Sequence, residues 1–166
     1  MYQVVPYVPT PHTVVRKMLS MASLNQGETL MDLGAGDGRI LVQAVREFGS
    51  RALGIELDLS RADGISSRLK KSRLEQESQL IPGSFFDAKL PEADVVTMYL
   101  LPSVNWMLRP KLERELKPGT RVISHDFPIW GWKPNDVQVV DENGHKHFLF
   151  LYVLPEKSVP AVTNEL

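Results

Sequence analysis

An eight-residue segment, Asp32–Arg39, combines three glycines with two aspartates and is the part of the chain best suited to hold a small ligand. An apolar run precedes it and an amphipathic pattern follows it, which predicts a strand, a loop and a helix. Glycines at alternate positions let the backbone turn tightly and let a ligand approach the main chain. The free N–H groups of the first helical turn would then point at that ligand.

A dinucleotide-binding loop is one interpretation of this segment. Its G-x-G-x-x-G pattern needs a third glycine where this chain has Arg39, and the two aspartates would repel a pyrophosphate. The segment resembles instead motif I of the S-adenosylmethionine (SAM)-dependent methyltransferases with a Rossmann-like fold, whose cofactor carries an ammonium and a sulfonium charge. The resemblance implies that the methionine part of SAM meets Asp32, Gly34, Ala35, Gly36 and Asp37.

Two further strand ends carry side chains that could bind an adenosine group. Glu56 ends the second predicted strand, about 20 residues beyond the loop, where an acid can accept hydrogen bonds from ribose hydroxyls. Asp87 follows the third predicted strand and could accept a hydrogen bond from the adenine amino group, with Phe85 or Phe86 packed on the adenine face. Two phenylalanines after a strand are also typical of an ordinary core, so both interpretations of this pair stay open.

Candidate catalytic residues follow the fourth and fifth predicted strands. Tyr99 ends the fourth strand, where it could contact the cofactor as well as the acceptor, and His125 and Asp126 follow the fifth. Asp126 could attract an incoming ammonium group and relay its proton, and the imidazole of His125 titrates near neutral pH. Trp130 and Trp132 could line a channel for a cationic side chain through cation–π contacts. A purely structural role is the alternative for each of these residues.

Strand and helix patterns alternate along most of the chain, which predicts a doubly wound, mostly parallel sheet. The predicted strands are 29–33, 52–56, 79–81, 94–99 and 120–124, and the predicted helices are 39–48, 60–76 and 103–116. Two more strands, 137–140 and 147–153, flank a loop ending in Asn143-Gly144, which is a hairpin signal. An antiparallel hairpin closing a parallel sheet is typical of SAM methyltransferases. The predicted fold class is therefore α/β, with a Rossmann-like seven-strand sheet.

Prolines at positions 6, 9 and 11 keep the N-terminal segment out of regular structure. Thr10 is predicted to cap a helix that has Pro11 as its first residue. We expect three regions. An arm and a helix over residues 1–26 would cover the cofactor site, a methyltransferase domain would span 27–155, and residues 156–166 would form a disordered tail.

Composition limits the classes of function. The chain has 166 residues, is 43% hydrophobic and has a formal net charge of -1, which predicts one globular domain with no general attraction to nucleic acid or to an anionic membrane. The absence of cysteine excludes disulfides, argues against a zinc site and fits a reducing compartment. No segment is long and apolar enough to span a membrane. We expect a cytoplasmic monomer without a metal ion.

Four segments together give a narrower resemblance. Tyr7–Pro11 (YVPTP), Asp32–Ile40 (DLGAGDGRI), Gly54–Glu56 (GIE) and Lys111–Val122 (KLERELKPGTRV) are similar to the family of archaeal broad-specificity protein-lysine methyltransferases. The same segments resemble the mitochondrial relatives in animals, which methylate lysines of ATP synthase subunit c and of the adenine nucleotide translocase. The resemblance extends from about residue 7 to about residue 153.

This resemblance implies that the chain uses SAM to methylate lysine ε-amines with little dependence on the surrounding sequence, so that its partners are proteins with exposed lysines. Tyr7 and Thr10 would then contact SAM or shape the lysine channel, and the alternative is a simple packing arm.

Residues 99–102 lack the motif of Asn or Asp, two prolines and an aromatic residue that base-amine methyltransferases usually carry. Two other functions stay open: methylation of RNA or a small molecule, and a non-catalytic SAM-binding module that acts through interactions.

Overall fold

The computed structural model describes residues 6–157, which form four helices and seven strands. The helices are α1 (His12–Met21), α2 (Arg39–Phe48), α3 (Leu59–Lys71) and α4 (Pro102–Glu115). The strands are β1 (Thr29–Leu33), β2 (Arg51–Glu56), β3 (Ser78–Pro82), β4 (Val95–Met98), β5 (Arg121–His125), β6 (Asp136–Glu142) and β7 (His145–Val153). Within residues 6–157, no helix has the length and apolar character needed to cross a membrane. The disordered tail predicted from residue 156 lies almost wholly outside the described residues.

The seven strands form a single sheet in the order β3-β2-β1-β4-β5-β7-β6. Its first five strands are parallel, and β7 runs antiparallel between β5 and β6. The chain moves outward from β1 to β3 and then returns to the other side of β1 at β4, which makes β1/β4 a topological switch point. Ligands bind beyond the carboxyl ends of the strands at such a point. The predicted fold class is confirmed.

Alternate residues of the central strands face opposite layers, as the two-residue period of a strand requires. Leu30 and Val95 belong to one core, which includes the buried face of α1. Their neighbours Met31 and Val96 belong to the other core, which includes the buried face of α4. Both faces of β1 and β4 are therefore covered.

The final hairpin bears out the Asn-Gly signal. β6 and β7 are longer than predicted, so their turn consists only of Asn143 and Gly144. Both residues have positive φ angles, 54° and 82°, as a two-residue turn of type I′ requires. Most other predicted boundaries agree with the structure to within two residues.

The largest boundary error concerns α3, which ends at Lys71 rather than at residue 76. Asp58 caps its first turn by accepting a hydrogen bond of 2.9 Å from the Arg61 N–H. Arg73 then has a left-handed backbone with φ of 57°, a conformation that a helix cannot continue.

The prediction that Thr10 caps the first helix is wrong. α1 begins at His12, Pro11 occupies the N-cap position, and no side chain forms a capping hydrogen bond. The Thr10 hydroxyl lies instead 3.1 Å from Nδ1 of the buried His125. A buried imidazole nitrogen without a partner is costly, so this tertiary contact takes precedence over the local cap.

Candidate cofactor and acceptor site

A cavity of about 280 Å³ lies at the carboxyl ends of β1, β2 and β4, where the topology predicts a ligand. Its walls come from the segment before α1, the loop between β1 and α2, and the residues that follow β2, β3 and β4. Eleven predicted site residues line it: Tyr7, Thr10, Asp32, Gly34, Ala35, Gly36, Asp37, Glu56, Phe85, Phe86 and Tyr99. The structure thus brings together segments that are far apart in the sequence.

The glycine loop and the N-terminal segment are in direct contact. Gly36 has a φ of 60°, and a Cβ built on it would lie 2.5 Å from Cε2 of Tyr7. The tyrosine ring therefore packs against bare backbone, which only glycine permits here. The Arg61 guanidinium lies 5.5 Å from the centre of the same ring, within the range of a cation–π contact.

Arg39, the residue that breaks the dinucleotide pattern, holds the loop and the N-terminal segment together. Its Nη1 donates a 3.1 Å hydrogen bond to the Thr10 carbonyl, and its Nη2 lies 2.8 Å from Oδ2 of Asp37. Burial opposes ionisation of Asp37, but hydrogen bonds from Arg39 and the nearby charge of Arg68 outweigh it and keep the pKa of Asp37 below its usual value. Asp37 is therefore an ionised carboxylate with protein partners of its own.

Asp32 has a different environment, because it is buried at the end of β1. Its Oδ1 accepts a 2.7 Å hydrogen bond from the Thr97 hydroxyl of β4. Burial raises the pKa of Asp32 to about 7. The hydrogen bond from Thr97 opposes this rise, whereas the negative charges of Glu56 and Asp37 add to it. A buried carboxylate with so high a pKa gains stability when a cationic group arrives beside it. This property fits the positively charged methionine end of SAM.

Glu56 is held in place by the protein before any ligand binds. Its Oε2 accepts a 2.8 Å hydrogen bond from the Gly36 N–H, and its Oε1 accepts one of 2.9 Å from the Asp58 N–H. Nη2 of Arg61 also lies 3.2 Å from Oε1. The side chain is buried, yet it lines the cavity.

Tyr99 and Asp126 meet at the edge of the cavity. The Tyr99 hydroxyl donates a 2.8 Å hydrogen bond to Oδ2 of Asp126. Burial together with the adjacent carboxylate raises the pKa of Tyr99 to about 12, so the phenol keeps its proton at neutral pH. Asp126 has a φ of 60°, a strained conformation for a residue other than glycine, and such strain is concentrated at functional sites.

His125 is fully buried behind this pair. Its Nδ1 lies 3.1 Å from the Thr10 hydroxyl, and its Nε2 lies 2.8 Å from Nδ1 of His147 on β7. Burial lowers the pKa of His125 to about 4, so the imidazole is neutral at pH 7. Because both ring nitrogens already have partners, this geometry favours a supporting role over direct contact with an acceptor.

Five predicted site residues lie outside the cavity lining, and two of them, His125 and Asp126, are the residues behind Tyr99 described above. Asp87 is exposed beyond β3, although its neighbours Phe85 and Phe86 line the cavity with ring centres 5.0 Å apart. Trp130 is 65% exposed. The indole of Trp132 donates to Glu113 of α4 and forms part of a second cavity. The two tryptophans are therefore not brought to the main cavity.

Sequence reasoning missed several residues that shape the site. The sequence pattern assigns no role in the site to Arg39, Arg61, Thr97 or His147. A signal existed for Arg61, because it lies five positions after Glu56 in the first turns of the next helix. No local signal existed for Thr97 and His147, since their partners are on other strands.

Comparison with known proteins agrees with the cavity chemistry. The family model of the ANTKMT methyltransferase domain matches residues 32–136. The protein-lysine N-methyltransferase of Saccharolobus islandicus is 46% identical over 153 residues, which are 92% of this chain and 95% of that protein. The chain belongs to this methyltransferase family. The predicted family resemblance and the SAM-dependent methyltransferase activity are thereby confirmed.

Two further proteins are similar to this methyltransferase in sequence, and one of them has a solved structure. This methyltransferase is 35% identical over 144 residues to the adenine nucleotide translocase lysine N-methyltransferase of Mus musculus, but it spans only 59% of the length of that protein. A crystal structure of an RNA methyltransferase from Salinibacter ruber, in complex with S-adenosyl-L-homocysteine (SAH), superposes with a TM-score of 0.83 at 40% identity. That match covers 92% of this methyltransferase and 97% of the other chain.

Proposed function

We propose that this methyltransferase modifies the ε-amines of protein lysines and tolerates varied sequence around them. The observation that carries the proposal is the 46% identity, over nearly the full length of both chains, to an archaeal protein-lysine N-methyltransferase. The cavity lining supports a protein acceptor, because it includes exposed apolar residues that can meet another protein surface. These are Tyr7, Val8 and Leu57, which are 43%, 53% and 50% exposed.

The residues of the cavity divide into two groups with different tasks. Asp32, Gly36 and Glu56 are suited to SAM, through a carboxylate for its positive end, bare backbone for close approach, and an acceptor for its ribose. Phe85 and Phe86 are suited to the adenine face. When bound, SAM supplies an electrophilic methyl group, and most of the protein's contribution is to hold the reacting atoms in line.

The second group consists of Tyr99 and Asp126 and receives the acceptor amine. A lysine with a pKa near 10.4 is almost entirely charged at pH 7, with roughly one molecule in a few thousand neutral. The Asp126 carboxylate attracts this ammonium group, and the Tyr99 hydroxyl fixes the carboxylate through their 2.8 Å hydrogen bond. The rings of Tyr99 and Phe127, stacked at 6.4 Å, provide an apolar surface that lowers the pKa of the amine by desolvation.

Methylation of RNA is the second candidate, because the 40% identical Salinibacter ruber protein is described as an RNA methyltransferase. The net charge of -1 opposes it, since nucleic-acid binding depends on an excess of positive charge at the interface. The lack of the base-amine motif at residues 99–102 also opposes it.

The test is methyl transfer from labelled SAM to a panel of folded basic proteins, lysine peptides, tRNA and ribosomal RNA, followed by mass spectrometry of the labelled acceptor. We expect label on lysine side chains of several unrelated proteins. We also expect an Asp126→Asn variant to lose most of this activity, while Asp136→Asn, which changes an exposed acid on β6, keeps it. Label confined to RNA would replace the proposal by the second candidate. Binding of SAM without transfer to any acceptor would favour a non-catalytic module.

A further inference from the structure

A cluster of two histidines and one aspartate lies where β5 meets β7. His125 ends β5, Asp126 follows it, and His147 belongs to β7. One ligand-type atom from each residue, an imidazole nitrogen or a carboxylate oxygen, lies within 4.8 Å of the other two. We propose that this cluster binds one divalent transition-metal ion of the zinc class, against the expectation drawn from the absence of cysteine, because imidazoles and a carboxylate can hold such an ion without a thiolate.

The spacing of the three atoms is close to what such an ion needs. Tetrahedral ligands about 2.1 Å from zinc lie about 3.4 Å from one another. Nε2 of His125 lies 3.5 Å from Oδ2 of Asp126, which matches this separation. The same Nε2 lies 2.8 Å from Nδ1 of His147, so these two rings need to part by about 0.6 Å to share an ion.

The outward atoms of two ligands are already fixed by the protein. Nδ1 of His125 is held by the Thr10 hydroxyl, and Oδ1 of Asp126 accepts a 3.0 Å hydrogen bond from the Phe148 N–H. Metal-binding histidines and carboxylates are usually oriented in this way by partners outside the coordination sphere. Nε2 of His125 and Oδ2 of Asp126 lie on the other side of these groups, where an ion would replace the contact between His125 and His147 and compete with the hydrogen bond from Tyr99.

The ligand types select the class of ion. Two imidazoles and one carboxylate suit zinc, cobalt and nickel, whereas magnesium and calcium prefer an all-oxygen site. His125 and His147 are 0% and 7% exposed, and Asp126 is the partly exposed member of the cluster. An ion on Oδ2 of Asp126 would leave a coordination position for water. Because the proposed function gives the same carboxylate to the acceptor ammonium, a bound ion and a bound amine would exclude each other.

The direct test is titration of the metal-free, tag-free protein with Co²⁺, followed by visible absorption, and with Zn²⁺ in competition. We expect one Co²⁺ per chain, displaced by Zn²⁺ but not by excess Mg²⁺. His147→Ala should abolish the absorption, whereas His12→Ala, which changes a histidine at the start of α1, should leave it unchanged. Thr10→Val, which removes only the outer partner of His125, should weaken Co²⁺ binding by roughly 10–100-fold.

A wild-type circular dichroism spectrum and cooperative thermal unfolding of each variant show that the variant is folded, so loss of the metal signal then reports on the cluster alone. The readout is independent of methyl transfer and holds whatever the acceptor is. Wild-type protein that binds no Co²⁺ or Zn²⁺ would overturn the proposal, and the cluster would then be a hydrogen-bonded pair of histidines beside an acid. Equal binding by wild type and His147→Ala would also overturn it, because the ion would lie elsewhere.

Discussion

Lowering the pH below 7 should weaken SAM binding through Asp32. Its carboxyl group is buried and has a pKa of about 7 in the ligand-free protein. The ionised fraction is therefore about one half at pH 7, about one tenth at pH 6 and about one hundredth at pH 5. If the cationic end of SAM binds only the ionised form, its affinity should fall about tenfold per unit below pH 6, which is about 1.4 kcal/mol per unit.

Isothermal titration calorimetry between pH 5 and pH 7 measures this dependence. At pH 6 the binding of each SAM should release nearly one proton, which is counted by comparing buffers of different ionisation enthalpy. This range avoids the α-amino group of the ligand, because an ordinary α-amino group titrates near 7.7–8.0. Asp37 does not interfere, because its pKa lies below its usual value. SAH keeps the ammonium but lacks the sulfonium, so a similar slope with SAH would assign the effect to the ammonium.

Two variants serve as controls. Asp32→Asn should bind SAM weakly with no dependence on pH in this range. Asp94→Asn changes an acid that accepts a hydrogen bond from the Thr29 N–H, outside the cavity lining, and it should keep the wild-type slope. A flat affinity profile for the wild type, or the same slope in Asp32→Asn, would refute the role given to Asp32.

The same pKa also governs the stability of the ligand-free protein. Since the folded pKa of Asp32 lies above its unfolded value, its stabilising contribution is fully present below about pH 4 and is lost as the pH rises through 7. A shift from 3.8 to about 7 corresponds to about 4 kcal/mol. Asp32→Asn should therefore gain stability relative to wild type between pH 4 and pH 8, by up to this amount in urea unfolding.

Three substitutions test the rest of the cavity. Gly36→Ala should weaken SAM binding at least tenfold, because it would displace the tyrosine ring that packs on the loop. Gly27 has a similar positive φ but open space around it, so Gly27→Ala should lower stability only by the backbone strain of about 1–2 kcal/mol. Arg61→Ala should bind SAM up to about fivefold more tightly, because the substitution frees an acceptor oxygen on Glu56 and removes a positive charge from the cavity. Weaker binding of SAM by this variant would contradict this reasoning. Tyr99→Phe should lower kcat/KM for a lysine peptide roughly tenfold or more while leaving the Kd for SAM unchanged.

The sequence predicted the sheet and the positions of Asp32 and Glu56 for the same physical reason. Parallel strands all end at one edge, so polar residues that end buried apolar runs must meet there. The apolar run of β1 is local information, and burial on both faces of the strand accounts for it. The antiparallel hairpin could be predicted equally well, because Asn143 and Gly144 readily adopt the positive φ angles that a two-residue hairpin turn requires.

The parts that could not be predicted depend on contacts between distant segments. Thr10 has the side chain of a helix cap, but it faces an imidazole 115 positions away. Trp130 and Trp132 follow β5 closely, yet the loop turns them towards α4, where Arg109 donates to the Trp130 carbonyl and Glu113 accepts from the Trp132 indole. Sequence proximity to a strand end therefore failed where a loop had a packing partner of its own.

The hydrogen bond from Arg39 to the Thr10 carbonyl has a consequence for the energetics of two-substrate binding. Through it, a displacement of the glycine loop is transmitted to Thr10, whose hydroxyl meets His125 beside Asp126. The cavity proposed for SAM and the carboxylate proposed for the amine thus share one continuous set of contacts. If bound SAM changes the affinity for the amine by some factor, the bound amine must change the affinity for SAM by the same factor. Cofactor affinity measured without an acceptor is therefore the affinity of only one of the two coupled states.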